Sequence, residues 1–154
     1  MTRTVVHETF ALERTYPVST AQVFRAFSDL ETKKRWFDGP DDWEPAAEHT
    51  LDFRIGGRER EAGGPPGGPI HTFDAIYHDI VADSRIVYSY TMTLEDRRIS
   101  VSLTTIELTA EDGGTRLFLT EHGAYFDGAD GPGMRRRGTE ELLDALAGVL
   151  DPID

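Results

Sequence analysis

A proline placed directly after an alternating segment, with a helix start two residues on, constrains this chain more than any other feature. Residues 8–16 alternate as a strand does, with Phe10, Leu12, Arg14 and Tyr16 on one side and Thr9, Ala11, Glu13 and Thr15 on the other. Pro17 ends that strand, because it has no N–H for a ladder. Ser19 then has the capping-box relation to Gln22, and Val18 and Val23 take the staple positions around the cap. Val23, Phe24, Phe27 and Leu30 recur at helical spacing. Asp29 is placed to cap a second short helix, from Leu30 to about Trp36. A strand and two short helices therefore form a corner, and the rest must be arranged around it.

The remainder reads as sheet until the last helix. Residues 48–55 alternate, with Leu51, Phe53 and Ile55 opposite Asp52 and Arg54, and Gly56 and Gly57 follow as a turn. Residues 58–61 begin a returning strand. Residues 62–69, AGGPPGGP, lack the Gly-Lys-Ser/Thr ending of a phosphate loop and are read as an exposed, flexible hairpin loop. Residues 70–80 and 85–94 are strands, the second with Ile86, Tyr88, Tyr90 and Met92 on one face. Residues 99–108 slip in phase, with Val101 and Leu103 on one parity and Ile106 and Leu108 on the other, which predicts a bulge or strong bend near Thr104 and Thr105. Asp112-Gly113-Gly114 is a hairpin turn before a strand over 115–122. The last helix, from 133 or 139 to 150, carries Leu142, Ala145, Leu146, Val149 and Leu150 on one stripe. Arg135, Arg136 and Arg137 are ill placed at a helix start; either the regular helix begins later or they pair with carboxylates.

At 154 residues the chain has the length of one domain, 1–154, and 38% hydrophobic residues suffice for a core. Three helices leave one face of a flat sheet bare. The expected fold is therefore α+β, a curved six- to seven-stranded antiparallel sheet around the C-terminal helix, with two short helices after the first strand. The absence of cysteine excludes disulfides and thiolate chemistry. A net charge of −12 argues against nucleic acid and anionic membranes. No apolar run is long enough for a membrane span and no signal-peptide pattern is present, so a cytoplasmic location is expected. A homodimer is compatible with the exposed strand edges of such a sheet.

Pro17, the run Val23-Phe24-Arg25-Ala26-Phe27, the turn Asp29-Leu30-Glu31 and Trp36 together resemble the helix-grip, START-like superfamily (SRPBCC). More narrowly they resemble the family similar to the C-terminal domain of the activator of Hsp90 ATPase (AHSA1-like). Phe53-Arg54-Ile55-Gly56-Gly57, His78-Asp79-Ile80 before Arg85-Ile86-Val87-Tyr88, and Gly114-Thr115-Arg116-Leu117 with Thr120-Glu121-His122-Gly123 extend the match over nearly the whole chain. One departure is Thr139 after Gly138, where the family often has Trp. The resemblance implies a cavity between the sheet and the last helix, reshaped at that end.

No catalytic motif is present. His7, His49, His71, His78 and His122 have no metal-binding spacing, so neither a metal nor a cofactor is expected. Trp36, Phe53, Phe73, Tyr77, Tyr88, Tyr90 and Met92, facing Leu142 and Leu146, are the candidate ligand-binding residues; such aromatics either line a pocket or fill a core. Arg14, Arg54, His71 and Glu121 are candidate polar anchors. Glu121 alternates with Leu117 and Leu119 and so faces inward, with Arg14 or Arg54 as its expected partner. Trp43, inside the acidic loop 38–45, either folds onto the core or covers an opening. The leading expectation is a non-enzymatic protein that binds a small hydrophobic or aromatic molecule. A polyketide cyclase or aromatase using Tyr88, His71, Arg54 and Glu121, and an Hsp90-type chaperone cofactor, are the alternatives that the resemblance implies.

Overall fold

The structure is a computed structural model that describes residues 3–129 and 131–150. Strand β1 (Val5–Tyr16) leads at Pro17 into α1 (Thr20–Ser28) and α2 (Leu30–Phe37). Ser19 caps α1, accepting from Gln22 N at 3.1 Å. Asp29 ends α1 and also caps α2, accepting from Thr32 N and Thr32 Oγ1. One residue thereby fixes the angle between two helices. Ser19→Ala is expected to lower unfolding free energy by about 1 kcal/mol, read from urea denaturation; an unchanged midpoint would remove the cap from the account.

The strands β2 (Glu44–Pro45), β3 (Thr50–Leu51), β4 (Arg58–Gly64), β5 (His71–Val81), β6 (Arg85–Leu94), β7 (Arg97–Glu111) and β8 (Gly114–Phe126) follow, then α3 (Pro132–Ala147). The curved sheet has eight strands, in the order β1-β8-β7-β6-β5-β4-β2, with β3 beside β4. All pairings are antiparallel. The sheet grips α3, and Tyr16, Val23, Phe27, Trp36, Ile106, Leu117, Leu143 and Leu146 form the main core.

Four expectations are corrected. The strand expected over 48–55 shrinks to Thr50–Leu51, because the chain turns where Asp52 O accepts from Arg54 N and Arg54 O from Gly57 N. The Cβ of any other residue at 57 would lie 2.0 Å from Asp52 O. The glycine-rich segment is not loop throughout. Ala62, Gly63 and Gly64 are buried strand, and a side chain at Gly64 would strike Pro69 O at 2.2 Å, so these glycines permit close backbone approach. No bulge lies at Thr104 and Thr105. The register shifts fall between Met92 and Thr93 and at His78. Strand β7 instead keeps one phase, with Ser100, Ser102, Thr104, Ile106 and Leu108 inward and Val101 and Leu103 partly exposed outside. On α3, Leu143 is buried and Ala145 is exposed, so the buried stripe runs Arg135, Thr139, Leu143, Leu146 and Leu150.

Candidate functional site

The inward faces of β5 and β6 set Phe73, Tyr77, Tyr88, Tyr90 and Met92 side by side, as strand alternation requires. Phe73 meets Tyr90 at 4.8 Å and Phe37 of α2 at 4.9 Å between ring centroids. Tyr88 touches Phe73, Tyr77 and Tyr90 at 6.3, 5.7 and 6.1 Å. Although ringed in this way, Tyr88 stays partly accessible, as do Met92, Phe37 and Leu142. Trp36 and Leu146 are instead fully committed to the core, where Trp36 Nε1 donates to Ala26 O at 3.0 Å. Phe53 packs between Phe24 and Tyr77.

One polar cluster closes this aromatic concavity toward β7, β8 and α3. Glu121 is 2% exposed, on the inward side its alternation required. Its partners are not the expected arginines. Tyr90 OH donates to Oε2 at 2.9 Å and Thr104 Oγ1 to Oε1 at 2.8 Å. Arg135 enters from the first turns of α3 and donates to Tyr90 OH at 2.9 Å and Ser100 Oγ at 2.7 Å. Its guanidinium lies 5.5 Å from the centroids of both Tyr90 and Tyr125. Burial, then the Glu121 charge, push the Tyr90 phenol well up, so it remains a donor to Glu121 at neutral pH. Arg14 instead reaches Asp144 at 3.2 Å on the surface, and Arg54 pairs with Asp52 in solvent. Arg14 also donates to the Glu13 backbone oxygen at 2.9 Å, and Arg54 lies in the turn after β3 rather than in a strand, so neither reaches Glu121.

A second buried cluster joins α2 to the sheet. Lys33 Nζ lies 2.6 Å from Glu59 Oε1, with the two side chains 3% and 0% exposed. Tyr77 OH donates to the same oxygen. His49 Nε2 meets Glu59 Oε2 at 2.7 Å, and Nδ1 meets Asp38 Oδ1 at 2.6 Å. Two carboxylate acceptors need two N–H donors, so the ring is held as imidazolium. Burial alone would push the His49 pKa down, but its bonds to Asp38 and Glu59 carry it up to about 9. Burial would likewise raise Glu59, but Lys33 beside it, with the bonds from His49 and Tyr77, holds it at about 2.

Sequence reasoning named His49 and Arg135 without assigning either to a site, and did not single out Lys33 or Glu59. Signals for three of them existed. Lys33 stands three residues before Trp36 on one helical face, Arg58-Glu59-Arg60-Glu61 alternates in sign as a strand with inward acids would, and Arg135 is four residues before buried Thr139.

A cleft of about 580 Å³ opens between the C-terminal end of α2, the loop 39–49 and β4. Trp43 forms one wall and packs on His71, with 4.8 Å between ring centroids. Among the described residues no group of three His, Asp or Glu side chains is placed to hold a metal. No helix among them is long and apolar enough to cross a membrane.

A curved antiparallel sheet closed around a C-terminal helix, after a strand–helix–helix corner, defines an α+β protein of the helix-grip class. The model of the activator of Hsp90 ATPase homolog 1-like protein family matches residues 17–151, and the chain belongs to that family. A solved protein from Rhizobium leguminosarum is 42% identical, with a TM-score of 0.91 over 97% of both chains. Mll3558 from Rhizobium loti is 48% identical, with a TM-score of 0.88 over 96% of this chain and 99% of that one. An AHSA1-like protein from Aeromonas hydrophila, 19% identical with a TM-score of 0.68 over 92% and 91% of the two chains, shares the fold. A search among curated proteins finds no match.

Proposed function

We propose that this protein binds a small aromatic or hydrophobic molecule in the concavity between β5–β8 and α3. The observation that carries this is Tyr88. It lies within the concave aromatic surface, beside Phe73, Tyr77 and Tyr90, and yet keeps accessible area, as do Phe37 and Met92 facing the same space. A purely structural core would close over such rings. The Arg135–Tyr90–Glu121 set supplies polar partners at one end, so the ligand it suits is an aromatic body with one carbonyl or hydroxyl group. Native mass spectrometry of the purified protein, compared with its denatured mass, is expected to show a retained or added small molecule. Titration with 1-naphthol is expected to saturate in the wild type and to fail in Met92→Trp, which fills the space, while Val101→Ser on the outer face binds normally. Equal binding by Met92→Trp would move the site elsewhere.

A second reading is cyclase-like catalysis in the same space, which the hydrogen-bonded Tyr90–Glu121 pair favours because it offers a proton donor beside a base. Incubation with a short poly-β-keto thioester would reveal it as loss of water from the substrate, absent in Tyr90→Phe. Unchanged substrate would leave the binding reading alone. Nothing in the geometry favours the chaperone-cofactor alternative.

A further inference from the structure

We propose that two copies of this chain join through the free edge of β1, antiparallel about a two-fold axis at Ala11, so that their sheets run on as one. Such a dimer forms independently of what occupies the concavity.

Strand β1 stands at one end of the strand order and, among the described residues, pairs only with β8. It does so in one unbroken register, from Val5 opposite Phe126 to Tyr16 opposite Thr115. The direction of its backbone groups is fixed at both ends. Thr4 O accepts from Asp127 N at 2.9 Å, and a Cβ at Gly114 would lie 2.6 Å from Tyr16 O. The even-numbered residues therefore turn their amides and carbonyls toward β8. Alternation turns those of Val5, His7, Thr9, Ala11, Glu13 and Thr15 to the free side, and all of these residues are exposed. A long edge of this kind is a template for another strand unless something blunts it. Strand β1 has neither proline, lysine nor bulge.

The residues of the strand select a second copy of it as the occupant, and they fix the register. Edge-facing groups must meet edge-facing groups, so odd-numbered residues stand opposite odd-numbered ones. With Ala11 opposite Ala11, Glu8 stands opposite Arg14, Phe10 opposite Leu12 and Val6 opposite Tyr16 on the inward face. Thr9 stands opposite Glu13 on the outward face. Symmetry repeats each contact. Opposite charges directly across a ladder are favourable, as are aromatic residues beside aliphatic ones. Val6, left 49% exposed in one copy, gains a neighbour. The adjacent registers lose this match. Centred on Phe10, Glu8 faces Leu12 and Val6 faces Arg14; centred on Leu12, Phe10 faces Arg14 and Glu8 faces Tyr16.

Arg14 is free to make the exchange. It holds Asp144 at 3.2 Å and its own strand's Glu13 O at 2.9 Å, and its side chain remains 28% exposed. Glu13 O is an edge-facing acceptor, which the Thr9 amide of the second copy takes on pairing. Arg14 then gives up a neutral carbonyl for the Glu8 carboxylate of the second copy, a stronger acceptor.

Sedimentation velocity of the wild type at about 200 µM is expected to show a dimer that dissociates on dilution below about 1 µM. Ala11→Pro removes an N–H and adds a ring on the free side only, so it is expected to give a monomer with the circular dichroism of the wild type. Charge reversal tests the register. Glu8→Arg sets like positive charges opposite each other and Arg14→Glu sets like negative ones; each alone is expected to weaken dimerisation about tenfold or more. An equimolar mixture of these two variants restores both opposite-charge pairs and is expected to form a heterodimer of about wild-type affinity. Both positions are at least partly exposed, so both variants are expected to fold even where Ala11→Pro does not. A wild type that is monomeric at the higher concentration would overturn the proposal and leave the edge to an extended segment of a different protein. A dimer that a folded Ala11→Pro leaves intact would also overturn it, as would a mixture of the charge variants that stays monomeric.

Discussion

Lys33→Met is expected to destabilise the protein by about 3–5 kcal/mol, the largest effect anticipated for any single substitution here. The reasoning starts from Glu59, whose side chain is fully buried and whose Oε1 accepts from Lys33 Nζ and Tyr77 OH while Oε2 faces His49. Removing the lysine leaves that carboxylate in the interior with its nearest full charge gone. Desolvation of Glu59 is then opposed only by the Tyr77 hydroxyl and by His49, which Asp38 already shares. Methionine fills much of the same volume, so packing loss is small and the effect reports charge. A typical domain has about 5–15 kcal/mol in total, so the variant should sit near the edge of folding at ambient temperature. Urea denaturation followed by tryptophan fluorescence measures it directly. Lys33→Met with Glu59→Leu should recover part of the loss, because the orphaned charge goes too. A single-variant loss below about 1 kcal/mol would mean that water reaches Glu59 and that the cluster is not a dry ion pair.

Stability is expected to fall as pH rises from about 5.5 to about 9, by about 3 kcal/mol from His49 alone. The folded His49 pKa lies at about 9, above its ordinary 6.5. Its stabilisation is fully present below 6.5 and is lost as pH climbs through 9. The raised Glu61 carboxyl acts in the same direction over a lower window. The folded state favours its protonated form, so ionisation between the ordinary value of 4.5 and about 7 removes stability. Glu59 has the opposite sign: held at about 2, it contributes above 4.5 and loses that contribution as pH falls toward 2. The three together put the optimum on the acidic side of neutrality. They share one cluster, so their effects do not simply add. Denaturation at several pH values in wild type, His49→Gln and Glu61→Gln would test this. A wild-type curve that is flat or rises toward pH 9 contradicts it, as does a slope that survives both substitutions.

The corner built by Pro17, Ser19 and Asp29 was fully legible, because capping is local chemistry and needs no knowledge of the rest of the chain. The inward position of Glu121 was legible for the same kind of reason, since alternation is local. Its partners were not. Arg135 is 14 residues further along the chain, on another element, and only the grip of the sheet around α3 brings it to Tyr90. Strand β7 misled for a physical reason. Hydrophobic patterning assumes that apolar side chains face the core, and here Ser100, Ser102 and Thr104 face it because a guanidinium and a carboxylate must be solvated from within. The strand was correct, and the inversion of its faces marked the polar site. Of the eight strands only the two-residue β2 was not expected, being below what periodicity can resolve, while β3 is what remains of the strand expected over 48–55.

Both helices that close the concavity are tied to the sheet through buried ionic residues, α2 by Lys33 and α3 by Arg135. Greasy contacts are forgiving: a helix on leucines can slide or roll a little and exchange one neighbour for another at small cost. A guanidinium or ammonium bonded at fixed angles has one seat. The two helices are therefore indexed to the strands, like keys cut for particular wards.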